Sequence, residues 1–121
     1  MDLSQLDSSK RSAVETLHHP GFFALGGVGT TSCISAGERA LDRLIIDPQA
    51  AVLFRLILDE GSYEGKLYAL VGLRTVDHAG YLHAVARFRN DQTPVETMSG
   101  CLRGPFPMAD EIRQLEGWPP V

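Results

Sequence analysis

Apolar residues along this chain recur mainly at helical spacing, in runs cut by Asp, Pro and Gly. Residues 3–18, "LSQLDSSKRSAVETLH", place Leu3, Leu6, Val14 and Leu17 at that spacing and predict a first helix, sparse at its start. "HHPG" ends it, because Pro20 restricts His19 and Gly21 releases the backbone. After "FFAL" and a Gly-rich stretch, Ser35 and Glu38 have capping-box spacing before "AGERALDRLII", whose face is Ala40, Leu41, Leu44 and Ile45. Asp47 then reads as a cap with Pro48 at the first helical position. "PQAAVLFRLILDE" is apolar nearly all round and is expected to be central and covered by neighbours.

"GSYEG" separates that helix from "KLYALVGLRTV", where Leu67, Leu70 and Val71 share a side with Tyr68 adjoining. Asp77 sits where a second cap is wanted, before "HAGYLHAVARFR" with Tyr81, Leu82, Val85 and Phe88 facing one way. From Asn90 the helical period stops. "NDQTPVETMSGCLRGPFP" is irregular, with a short extended piece expected in "VETMSGCL". "MADEIRQLE" is a last helix with Ile112 and Leu115 as its apolar face, stopped by Gly117 and "WPP".

The turns "LIIDPQ" and "RTVDHA" lie 30 residues apart, the period of short stacked helix pairs. The stretch 47–88 resembles the short HEAT-like repeats of lyase-type α-solenoids, which run Asp turn, apolar helix, loop, then a basic-x-x-Ala-x-x-x-Leu helix. Asp47, Pro48, Ala51, Leu53, Leu56, Leu58, Lys66, Ala69, Leu73 and Asp77 carry the likeness, while Glu64 and Gly65 depart from the usual charged cap. Barely two units are present, so the flanking segments must help to close the ends. The fold class expected is mostly α: a small HEAT-like helical-repeat domain of five to six helices with irregular Gly-rich segments and a minor short β-pairing. It forms one domain over 1–121, with an N-terminal helix and Gly-rich segment (1–35), a helical core (36–89) and an irregular segment with a last helix (90–121).

Composition narrows the function classes. The net charge is −4 and the 11 basic residues are scattered, which disfavours nucleic-acid binding. No apolar run approaches the roughly 20 residues that span a bilayer, and the first residues lack a secretory h-region. Two cysteines, Cys33 and Cys101, make no disulfide framework, so a reducing, cytoplasmic setting is expected.

Candidate chemistry is thin. "GVGTTS" has two glycines of a dinucleotide loop, but Ser32 replaces the third and helix follows helix. It has no Walker lysine either, so it reads as a tight turn. His78 and His83 are five apart, poor for one helical face, and no metal or cofactor is expected. Asp59–Glu60 and Asp110–Glu111 are adjacent in sequence and read as solvated helix ends.

What remains is the pair of segments outside the helical pattern, both rich in small hydroxyl residues. Phe22, Phe23, Thr30, Thr31, Ser32 and Cys33 on one, with Glu96, Thr97, Ser99 and Cys101 on the other, form a candidate partner-binding patch with the two Phe as anchors. The competing account is a structural cap, since small residues let backbones approach closely. The function expected is a non-enzymatic protein-binding module with another protein as partner, of inhibitor or immunity type, its acidity steering it onto a basic partner. Two alternatives stand beside it: a small cysteine-dependent enzyme, and a homodimer in which a second chain covers helix 48–60.

Overall fold

The computed structural model describes residues 8–23, 36–99 and 102–116. Among these the chain is mostly α, with six α-helices and two short antiparallel ladders. Helix α1 (Ser8–His18) buries Ala13, Val14 and Leu17, and α2 (Ala36–Ile45) buries Ala40, Leu41 and Leu44. Residues 1–7 and Ser35 lie outside the described residues, and with them the sparse start of the first helix and one half of the capping box. Ile46, expected at the end of α2, is beyond it and 79% exposed.

Helix α3 (Ala50–Glu60) begins two residues later than the Asp-Pro pattern suggests. The Asp47 carboxylate accepts the Gln49 N–H at 2.8 Å and the Asp47 carbonyl accepts the Ala50 N–H at 3.0 Å. The aspartate therefore closes a turn that holds Pro48 and Gln49, rather than capping the helix directly. One face of α3 is buried (Leu53, Phe54, Ile57, Leu58), while Val52 and Arg55 face water.

The covered, central helix is instead α4 (Tyr63–Val76), which touches α1, α2, α3, α5 and α6. It starts three residues earlier than its apolar period suggests, inside "GSYEG". There the Ser62 hydroxyl accepts the Gly65 N–H at 3.3 Å, and the Ser62 N–H donates to the His18 carbonyl at 2.7 Å. Gly65 is where α1 ends against α4: a Cβ at that position would run into the Leu17 carbonyl oxygen. Centrality passes to α4 because Gly65, Ala69 and Gly72 let neighbours come close, whereas Val52, Arg55 and Asp59 keep one side of α3 open.

Helix α5 (His78–Val85) is capped by Asp77, whose carboxylate accepts the Gly80 N–H at 3.1 Å, as its position suggests. It runs into a 3-10 turn, Ala86–Phe88. Tyr81, Val85 and Phe88 are buried as expected, but Leu82 is 49% exposed and Ala84 takes its place.

The irregular segment folds back on itself. Strand β1 (Pro94–Val95) pairs with β4 (Phe106–Pro107), and β2 (Met98–Ser99) with β3 (Leu102–Arg103), both antiparallel. Helix α6 (Met108–Glu116) has the predicted bounds. It is held by Arg89, which grips the Glu116 carboxylate at 2.7 and 2.9 Å, and by Arg74, which donates to the Leu115 carbonyl at 2.6 Å. One core, with Tyr68, Phe54 and Tyr81 among its largest members, joins all six helices. No helix among the described residues is long and apolar enough to cross a membrane.

Candidate functional site

The small-hydroxyl patch is met only in part. Phe23 donates its N–H to the Glu96 carbonyl at 2.8 Å and forms a parallel bridge with Thr97, so the two segments do run side by side there. Phe23, however, is 4% exposed, with its ring 4.7 Å from that of Tyr68. It is a core residue, which corrects the expectation of two surface anchors; Phe22 is half-buried. Thr97 is buried too, and the half-buried Glu96 donates its N–H to the Glu64 carboxylate at 3.0 Å. Ser99 is placed by its backbone in β2. Thr30, Thr31, Ser32, Cys33 and Cys101 lie outside the described residues.

Behind Thr97 sits a group expected in solvent from its place in the sequence. Glu111 is 6% exposed and accepts the Thr97 hydroxyl at 3.4 Å. Burial pushes its carboxyl up, the Thr97 bond works against this, and the Asp110 charge adds to the rise. Adjacency to Asp110 hides it: two neighbouring positions on a helix point apart, so one can be solvated and the other sealed.

A larger concave feature among the described residues lies elsewhere, between α3 and α5. It is an open groove of about 520 Å³ with Leu58, Ala79, Gly80 and Ala84 along its apolar side. Arg55 and Asp59 rise from α3, His83 from α5, and Arg87 from the 3-10 turn after it. Charges cross the groove twice: Arg55 pairs with Asp77, and Arg87 approaches Asp59 at 4.0 Å. The second contact is loose, with side chains 54% and 70% exposed. Val52, one turn before Arg55, adds exposed apolar surface at 47%, whereas the exposed Leu82 lies on the other flank of α5. The spacing of Arg55 with Asp59, and of His83 with Arg87, is the signal in the sequence: a charged stripe on each of two apolar segments.

A second hollow of about 350 Å³ adjoins the groove, sharing Leu58, Asp59 and Arg87 with it. Tyr63, Lys66 and Asp91 complete its polar lining. Lys66 donates to the Leu58 carbonyl at 2.6 Å, satisfying one of the orphan acceptors at the end of α3. Burial lowers its pKa and the Arg87 charge lowers it further, against an opposing pull from Asp59. A third, shallower groove of about 410 Å³ between α1 and α2 carries Ser9, Ser12, Thr16, Arg39 and Arg43.

Among the described residues no three His, Cys, Asp or Glu gather as a metal ion would require. His18 is engaged on both nitrogens, by the Val14 carbonyl at 2.9 Å and the Glu60 carboxylate at 3.4 Å. No family model, curated protein or solved structure matches this chain.

Proposed function

We propose that this chain is a non-enzymatic protein-binding module that takes a helical segment of a partner protein into the groove between α3 and α5. The groove itself carries the proposal: an open apolar channel rimmed by charge, with Val52 beside Arg55 left in water. Small residues on the α5 side (Ala79, Ala84) leave room for a partner's apolar anchors. Asp59, highly exposed and only loosely paired, is available to a basic side chain at the rim. The net charge of −4 favours approach of a basic protein. The helix-pair resemblance of 47–88 agrees with this, since such pairs present faces and grooves to partners. Within this class we propose an inhibitor or immunity role, neutralising a toxin or enzyme by occupying its surface.

The test is affinity capture from the protein's own cell lysate at low and high salt, beside a V52D/A79D variant, both positions exposed, confirmed as folded by circular dichroism. A stoichiometric partner is expected, bound at least about tenfold more weakly by the variant, as for loss of interface anchors. Absence of any partner at both salts, or a partner indifferent to the variant, would overturn the proposal.

A further inference from the structure

We propose that the hollow beside the groove is an acylation site, in which the Lys66 amine is the nucleophile and the Arg87 guanidinium holds the phosphate of an acyl phosphate. The geometry supplies both parts. The Lys66 ammonium is anchored by its 2.6 Å bond to the Leu58 carbonyl, which uses one N–H, and both residues line the hollow. Arg87 lines the same hollow, lies over the Phe88 ring at 5.2 Å, and is held by Asp59 only at 4.0 Å. A phosphate dianion offers two oxygens to the planar guanidinium and displaces so loose a contact.

The acids nearby do not block this. Asp91 is already engaged, one oxygen by the Tyr63 hydroxyl and the other by the Thr93 N–H, both at 2.9 Å. Asp59 is 70% exposed and its charge is largely spent in water. Burial and Arg87 together leave more of the amine neutral near pH 8 than an ordinary lysine would have.

In the step itself, the neutral amine attacks the acyl carbon and a C–N bond forms. The bond from that carbon to the bridging oxygen breaks, inorganic phosphate leaves with the electron pair, and the surplus nitrogen proton passes to water. The product is an amide, which removes a positive charge at the edge of the groove while keeping one N–H for the Leu58 carbonyl. No partner protein is required, so this inference stands apart from the docking proposal.

The chain has two lysines, Lys10 and Lys66, which makes the test internal. Lys10 is tied to the Asp47 carboxylate at 2.9 Å. The full chain is treated with acetyl phosphate across pH 7–9.5, and acetylation at each lysine is followed by peptide mass spectrometry. Lys66 is expected to react roughly five- to tenfold faster than Lys10, its rate beginning to rise at lower pH. R87Q should cut the Lys66 rate several-fold with acetyl phosphate but much less with the neutral donor N-acetoxysuccinimide. Equal rates at the two lysines, or an R87Q rate unchanged with acetyl phosphate, would overturn the proposal.

Discussion

Asp47 and Asp77 stand 30 residues apart, each comes after an apolar residue, and each precedes a helix. Their structural jobs differ. Asp77 is a single-residue joint: its N–H closes α4 on the Leu73 carbonyl at 2.8 Å, and its carbonyl receives the Tyr81 N–H at 2.9 Å to open α5. Its carboxylate lies so close to Gly80 that a Cβ there would collide with it. Asp47 is succeeded by Pro48, so the chain spends two more residues turning before α3 begins. Its carboxylate is drawn inward, 7% exposed, between Lys10 at 2.9 Å and Arg43 at 3.8 Å. The same residue type thus caps a helix in one turn and ties α1, α2 and the start of α3 together in the other. The residue after the aspartate, rather than the aspartate itself, decides.

The largest expected effect that tests this contrast is Asp47→Ala. It removes the Lys10 ion pair and the acceptor of the Gln49 N–H, and we expect a loss of about 2 kcal/mol in urea unfolding at pH 7. Burial pushes the Asp47 carboxyl up, but the Gln49 N–H, Lys10 and Arg43 together bring it below its ordinary value. Its contribution is therefore full above the unfolded value near 4 and fades as pH falls through the folded one, so wild type and variant should converge in acid. Asp77→Ala removes a cap of the ordinary kind and should cost about 1 kcal/mol by the same measurement. Equal losses from the two substitutions would break the distinction.

Glu111 sharpens it with a third acid, buried and facing a hydroxyl instead of cations. Its folded-state proton is held more tightly, so the carboxyl favours the fold in acid and that advantage is lost as pH rises through the raised folded value. Glu111→Gln should therefore stabilise the protein at pH 8 by somewhat under about 1 kcal/mol and make little difference near pH 4. A variant less stable than wild type at pH 8 would mean that Glu111 is held by more than Thr97. The smallest effect is expected from Arg55→Gln: its pair with Asp77 is 57% exposed on the arginine side and should be worth no more than about 0.5 kcal/mol in thermal unfolding.

Legibility in the sequence tracks how local the cause is. Helix α6 and the Asp77 cap rest on residues within a few positions of each other, and both are readable. The start of α4 is not, because Ser62 and Gly65 matter through the end of α1, more than 40 residues away. Apolar content points to α3 as the central helix, yet the placement of small residues gives that role to α4. Phe23 and Thr97 are neighbours in the interior rather than on a surface. Their burial comes from Tyr68 and Glu111, which no spacing rule links to them. The groove between α3 and α5 escapes a reading of the sequence because each helix shows only half of it.

The enclosure of α4 has a consequence for motion. Its buried middle, residues 67–73, packs against α1, α2, α3, α5 and α6. In hydrogen–deuterium exchange its amide protons should form the slowest unit, reporting the free energy of whole-molecule unfolding. The outer face of α5 and the two-residue ladders of β1–β4 should exchange first. The groove thus lies between two helices, α3 and α5, that both pack on the helix expected to open last.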